Sequence, residues 1–562
     1  MTYLLKFRGI QNYTFCKEEQ KVSSNFPFLL VPIFDNQKMF KMKEFHILAI
    51  DGGGSKGLME ALIIQDVMRA ATFIMQNPTK VLEIIKKECP DPSEQKYSYV
   101  FDYGNIETRQ KFIDEMLKIE EGKLIHPTEV FDMICGTSVG ALMAFGIVGG
   151  KKDALNGERV AMSMQEVVNF MVNTTNKIWP ASSKWTAFWN TIKSCAFRLH
   201  SSDGIETTLE ETFGDARLTS FKNQCIAAAV ARRMACKDAD EDECYDCLEI
   251  FDTHPSSEDI ARCKVTEVLK ASSNAPIYFK TPSYVTHYQE GPDGEEELPI
   301  PYVDGGLGGN CPAPQALRRM KEIFRGRKLG TTLSIAPPRS YDHAEANGLI
   351  YWLKYFPNQT TDGMTYYEEF KKMHPKGTCQ RIYPRSKEAK EFKTNDTRVE
   401  KMKDVMEQER LRDPTYMQEI VSAAIVIAAR RQNKDVAKLW QIAESFVDAN
   451  LGYAMAMKKD QLNVDNNLGI LKAMSKIEGF KMRHQILLKL ADVQCQGKLT
   501  EEAEETLEKV KLDVDTVDGE INKKIDEIEL KINAKRVCTK SNMVNFKGHP
   551  KIFIAVHPNC DS

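Results

Sequence analysis

Three short stretches of this 562-residue chain carry residues that could make and break covalent bonds. Gly136-Thr137-Ser138-Val139-Gly140 follows an apolar run at 130–135 and precedes a small-residue helical segment at 141–145. A serine set between glycines at a strand-to-helix turn is the pattern of a nucleophile elbow, where a sharp turn lifts the hydroxyl to the carboxyl edge of a sheet. The same residues also read as a plain helix start with Ser138 near its cap. Asp51-Gly52-Gly53-Gly54-Ser55-Lys56-Gly57 closes another apolar run, 45–50. Consecutive glycines let backbone N–H groups turn toward one point and hold an anion, either a phosphate or the oxyanion of an acyl-transfer intermediate. The loop lacks the P-loop spacing, and Gly52-x-Gly54-x-x-Gly57 alone is a weak dinucleotide signal.

A serine hydroxyl needs a base at neutral pH. The histidines that follow in the chain, His343 and His374, sit in no recognisable strand-end motif. Asp304 does: it ends the run Tyr302-Val303 and precedes Gly305-Gly306, a turn that places its carboxylate at the same sheet edge as Ser138. A partly desolvated carboxylate close to the hydroxyl can take its proton directly.

The elements that must hold these groups alternate between apolar strands and helices. Runs at 45–50, 130–135, 225–231, 247–251, 302–303 and 331–335 read as strands, and Leu58, Leu62, Ile63, Val67 and Ala70 recur at helical spacing behind the first glycine loop. Strands feeding helices through glycine turns predict a largely parallel α/β sheet covered by helices. Residues 150–217 read as mostly helical, 265–269 as a short helix, and from about 396 helical periodicity dominates, so three segments are expected: an N-terminal extension 1–43, a catalytic domain 44–395 and an all-helical domain 396–562.

Hydrophobic residues at 42%, charged residues at 28% and a net charge of −3 exclude a disordered chain and a nucleic-acid binder relying on a basic field. The 14 cysteines form no disulfide framework and no signal peptide opens the chain, which predicts free thiols and a cytoplasmic protein. Its longest apolar stretches, 26–34 and 421–429, are too short to span a bilayer, so any membrane contact would be peripheral.

Taken in order, Asp51-Gly-Gly-Gly-Ser-Lys-Gly57, Gly136-Thr-Ser138-Val-Gly140, Ala271-Ser-Ser-Asn-Ala-Pro-Ile-Tyr-Phe279 and Asp304-Gly-Gly306 with Asn310-Cys-Pro312 resemble the patatin-like phospholipases over about 44–385. The resemblance implies a three-layer α/β/α fold and a calcium-independent lipid acyl hydrolase acting on phospholipid at a membrane surface. It makes Ser138 the nucleophile, Asp304 the base, and the amides of Gly52, Gly53 and Gly54 the oxyanion hole. Lys56, Gly57, Gly136, Gly140, Gly305 and Gly306 support the motifs, and no metal or cofactor is implied. Lys56 stands where arginine is commoner, Val139 and Ala141 replace more usual small residues, and Ser334-Ile-Ala-Pro-Pro338 replaces a glycine-threonine-glycine turn. The C-terminal helical region also resembles that of patatin-like effectors which intracellular bacteria secrete into host cells, which implies activation by a host protein.

Two rival readings remain at this stage. A sugar-kinase-like phosphotransferase would use the glycine loop for phosphate but leaves the elbow, 271–279 and Asp304-Gly-Gly unexplained; a silent binding module leaves the Ser-Asp pair without purpose. Elsewhere, Asp238, Asp240, Asp242, Asp246 and Glu249 match calcium-loop positions, but Glu243 occupies the place where such a loop requires glycine. Cys244-x-x-Cys247, flanked by Cys236 and Cys263, could be a zinc site, yet its spacing is irregular and Cys247 heads an expected strand. Trp185, Phe188 and Trp189 among Lys177, Lys184, Lys193 and Arg198 have the composition of an interfacial helix, though tryptophans at this spacing are more often core.

Overall fold

The computed structural model describes residues 44–87, 98–99, 105–153, 157–178, 203–234, 247–276, 279, 282–291, 294–338, 363–373, 378–393, 395–431, 436–457, 461–475, 482–513 and 519–544. Eight strands form one mixed sheet: β1 (Glu44–Ile50), β2 (Met133–Thr137), β3 (Ile226–Arg233), β4 (Cys247–Asp252), β5 (Ser283–Gly291), β6 (Gly294–Asp304), β7 (Lys328–Ile335) and β8 (Thr378–Ile382). They lie in the order β8-β7-β1-β2-β3-β6-β5, with β4 also paired to β3. From β8 to β3 every pairing is parallel; β4 and β6 run antiparallel to β3, and β5 antiparallel to β6. The parallel half is the expected one. The hairpin β5–β6 was not foreseen over most of its length, because Glu295, Glu296 and Glu297 give it no apolar run.

Layering follows from the two-residue alternation of strands buried on both faces. Phe45, Ile47 and Ala49 of β1 join Met133, Cys135, Ile226, Ala228 and Val230 in one core, while Leu48 and Ile50 join Ile134, Ala227 and Ala229 in the other. Helices α1 (Gly57–Gln76), α2 (Val139–Gly149), α3 (Met164–Ile178) and α4 (Val265–Ser273) belong to the second core; α5 (Ala313–Ile323) and α6 (Gly363–Met373) belong to the first. The fold is therefore a three-layer α/β/α sandwich. Every residue of α2 is buried, which is why that helix is apolar all round and built largely of small residues.

The C-terminal region is helical, as expected, and it packs directly on the sandwich. The physical cause is α8 (Pro414–Arg430), which follows α7 (Val399–Arg412) and packs along α1. Asp413 caps α8 by accepting the Thr415 and Tyr416 N–H groups, Pro414 takes the first helical position, and Tyr416 through Ala429 are all buried. The apolar stretch 421–429 is thus an internal helix. Further helices run through Val436–Met457, Gln461–Ser475, Arg483–Gln496, Thr500–Asp513 and Gly519–Val544. No helix among the described residues is long and apolar enough to cross a membrane. Of the described cysteines, Cys135, Cys225, Cys263, Cys311 and Cys495 are free thiols.

Buried polar groups fasten the two parts. Arg410 Nε lies 2.9 Å from Asp66 Oδ2, which also accepts the Tyr416 hydroxyl at 3.1 Å, and Arg385 forks onto Glu419 at 2.6 and 2.9 Å. Removing one member of a buried pair leaves an uncompensated charge and costs about 3–5 kcal/mol, against less than about 1 kcal/mol for an exposed pair. Arg410→Ala should accordingly lower the urea midpoint far more than Lys403→Ala, whose partner Glu400 is exposed.

Candidate active site

Ser138 and Asp304 reach each other through β3. Thr137, the last residue of β2, is paired with Val230, and Asp304, the last of β6, is paired with Ala231. Because β4 pairs with residues 228–233 of β3, β2 and β6 share the opposite edge of that strand, end to end. The turns after β2 and β6 therefore meet. The turn at Ser138 has φ 55° and ψ −127°, a sparsely populated conformation for a residue with a side chain. A methyl group on Gly136 would stand 2.0 Å from the Gly140 carbonyl, and one on Gly140 would stand 2.4 Å from the Ile50 carbonyl oxygen, so β1, β2 and α2 can approach this closely only with glycine at both places.

The Asp304 carboxyl lies near the Ser138 side chain, and its Oδ1 accepts the Gly306 N–H at 2.6 Å. Asp304 is buried, and loss of water pushes its pKa up to about 6, while the Gly306 N–H and the Ser138 hydroxyl hold it down. That carboxyl is ionised, and able to accept a proton, just below neutrality.

The glycine loop lies against the serine: a methyl on Gly52 would stand 3.0 Å from Ser138 Cβ. Asn310 clasps Gly52 from both sides, its Oδ1 accepting the Gly52 N–H at 3.1 Å and its Nδ2 donating to the Gly52 carbonyl at 3.2 Å. Gly53 and Gly54 follow Gly52 just before α1, and Gly54 has φ 57°. Asp51 is anchored by Arg381, which donates to Asp51 Oδ1 at 3.1 Å and to Ser334 Oγ at 2.5 Å. Lys56 is buried with its Nζ 3.3 Å from the Pro338 carbonyl, and desolvation drops its pKa to about 8. A methyl on Gly53 would touch Pro337 at 3.1 Å and Glu60 Oε2 at 3.2 Å. Glu60 is fully buried with neither carboxyl oxygen hydrogen-bonded, and burial, with Asp51 nearby, raises its pKa well above the usual range. The prolines of 334–338 therefore form the floor of the glycine loop.

Segment 271–279 also joins the site. Ser272 Oγ donates to the Val230 carbonyl at 2.7 Å and accepts the Ser138 N–H at 3.1 Å. The structure thus assembles Ser138, Asp304, Gly52, Gly53, Gly54, Lys56, Gly57, Gly136, Gly140, Gly305 and Gly306 in one place. Residues whose part the sequence did not show are Arg381, Glu60, Ser272 and Asn310. An aspartate at the head of a buried loop calls for a cation, but nothing in the sequence selects Arg381. His343, His374, 179–198, Cys236, Cys244 and the acidic run Asp238 to Asp246 lie outside the described residues. Of the other metal-ligand candidates, Glu249 accepts the Tyr302 hydroxyl at 2.6 Å, Cys263 Sγ faces the Thr286 carbonyl and Cys247 is exposed; no metal-binding cluster occurs among the described residues. Gly136→Ala should destabilise the chain by about 1–3 kcal/mol or more through overpacking. Gly122→Ala, with open space around it, should leave the thermal midpoint nearly unchanged.

Comparison with known proteins bears on this arrangement. Residues 119–317 match the family model of patatin-like phospholipases. A cGAMP-activated phospholipase of Pseudomonas aeruginosa (strain BWHPSA011 / Pa011) is 26% identical over 199 residues, covering 34% of this chain and 47% of that protein. The aligned part thus spans about half the length of that relative. Asp51 to Gly57 and Arg381 fall outside the matched range and are brought to it by the sheet. With Ser138 and Asp304 both inside residues 119–317, the chain carries a patatin-like phospholipase domain.

Proposed function

We propose that this protein is a lipid acyl hydrolase of the phospholipase A or lysophospholipase type, cleaving fatty-acyl esters through a Ser138–Asp304 dyad. The observation that supports the reading is that the turns carrying Ser138 and the buried Asp304 meet on one edge of β3, with the Asp304 pKa raised to about 6. In the first half-reaction Ser138 Oγ attacks the ester carbonyl carbon as Asp304 takes its proton. The Gly53 and Gly54 amides, at the N-terminal end of α1, face the developing oxyanion. Collapse breaks the ester bond, and Asp304 returns the proton to the departing lysophospholipid or glycerol oxygen. Water then attacks the acyl-enzyme with Asp304 again as base, releasing the fatty acid and regenerating Ser138. Each charge in this scheme is met by a protein group, so calcium has no assigned task and a chelator should leave the rate unchanged.

The substrates are membrane lipids, so the protein would work peripherally at a membrane surface from the cytoplasm. An activating partner belongs to the same proposal. The helical region is packed on α1, the helix that begins at the glycine loop, so a partner bound to the exposed face of α7 would act on the oxyanion amides through α1. The relative's name ties its own activity to cGAMP, which makes that dinucleotide, beside a host-cell protein, an activator to test here.

Ser138→Ala should lower fatty-acid release by about 10⁴-fold or more, and Asp304→Asn by about 10²–10⁴-fold, without loss of fold. Lipid-product mass spectrometry on wild type and both variants is the measurement, run alone, with cGAMP and with cell lysate. Release by Ser138→Ala at the wild-type rate would end the proposal. Because the base must be ionised, kcat/KM should rise with pH through about 6 and level off above it.

A further inference from the structure

We propose that Ser272, at the C-terminal end of α4, is a positioning residue that sets the distance between Ser138 and Asp304. The proposal rests on the Ser-Asp reading above. The two residues come from different strands, and no local segment of chain links them. The turn after α4 supplies the link. Ser272 Oγ accepts the Ser138 N–H at 3.1 Å, the Ser272 carbonyl accepts the Gly305 N–H at 3.3 Å, and the Asn274 carbonyl accepts the Asp304 N–H at 3.3 Å. Three hydrogen bonds from two residues, Ser272 and Asn274, thus grip the backbone on both sides of the dyad.

The bonding roles at Ser272 are fixed by proton count. A hydroxyl has one hydrogen, and Ser272 gives it to the Val230 carbonyl at 2.7 Å, so only its lone pairs remain for Ser138. Val230 is the β3 residue paired with Thr137, immediately before Ser138, so the same hydroxyl ties the serine to the strand that aligns it with Asp304. Ser272 is fully buried, and no solvent stands ready to replace the bond. The N–H it holds belongs to the residue at φ 55°, a conformation that persists only where its surroundings over-determine it. Neighbouring Ser273 makes the contrast: its hydroxyl donates to the Leu269 carbonyl of its own helix at 2.6 Å.

The test compares full-length Ser272→Ala, Ser272→Thr and Ser273→Ala with wild type. The probes are a nitrophenyl ester, phosphatidylcholine vesicles and a fluorophosphonate that labels the nucleophile. Ser272→Ala should lower kcat and the labelling rate about 10–100-fold with KM changed less than about threefold, since a misplaced nucleophile loses orientation and not substrate binding. Its acid limb should also move above pH 6, because the Ser138 hydroxyl, which favours ionised Asp304, is displaced. Ser272→Thr should restore most of the rate, and Ser273→Ala should behave as wild type. A folded Ser272→Ala with wild-type kcat overturns the proposal, as does a fall in kcat with no shift of the acid limb that Ser273→Ala equals. If Ser272→Ala is not recovered folded, Ser272→Cys takes its place under the same criteria. Equal hydrolysis by wild type and Ser138→Ala would instead show that the Ser-Asp reading itself fails, and this proposal with it.

Discussion

One edge of one strand holds the chemistry of this molecule in place. Along β3, Val230 stands opposite Thr137 and Ala231 opposite Asp304, so consecutive residues of a buried strand fix the ends of two others. A slip of one residue in either pairing would send the side chains of that strand to the wrong face and part the serine from its carboxylate. The small residues of β3, Ala227, Ala228, Ala229 and Ala231, allow helices and strands to come close on both sides, and Gly136 and Gly140 let β1 and α2 do the same. Close packing and reactivity are here a single requirement.

Much of this could be read from the chain. Strands ending in glycine turns, the serine between glycines and the aspartate before Gly305-Gly306 are local patterns, and local patterns survive in sequence. The strand pairings that bring Ser138 to Asp304 were implied by the elements but not spelled out by them. What could not be read depends on pairs of distant residues: Asn310 closing on Gly52, Arg381 on Asp51, Ser272 on Ser138, and α8 on α1. The glycine loop shows the difference well. Three glycines look equivalent on paper, yet it is the first that Asn310 clasps by both amide and carbonyl and that lies against Ser138. In the same way, Ser334-Ile-Ala-Pro-Pro338 looked like a departure with no evident task, whereas Pro337 and Pro338 support Gly53 and Lys56.

The helical region changes meaning once it is seen on α1. That helix is buried along nearly its whole length, including the polar residues Glu60, Gln65 and Asp66, because α8 and α7 complete its surroundings. The segment beyond 396 therefore finishes the core around the glycine loop, and Asp66 with Arg410 and Tyr416 supplies the polar seam.

Glu60 gives the fold an unusual relation to acidity. Most carboxylates that matter to a native state are held ionised by a partner, so folding gains ground as protons leave. Here the acid sits in the dark beneath Gly53 with neither oxygen engaged, and the folded chain keeps a proton that the unfolded chain would surrender near 4.5. Above that value each step toward alkalinity favours the unfolded chain, until Glu60 ionises in place. The glycine loop thus rests on a group that rewards mild acidity, while Asp304 beside Ser138 gives up its proton only once that acidity has lifted.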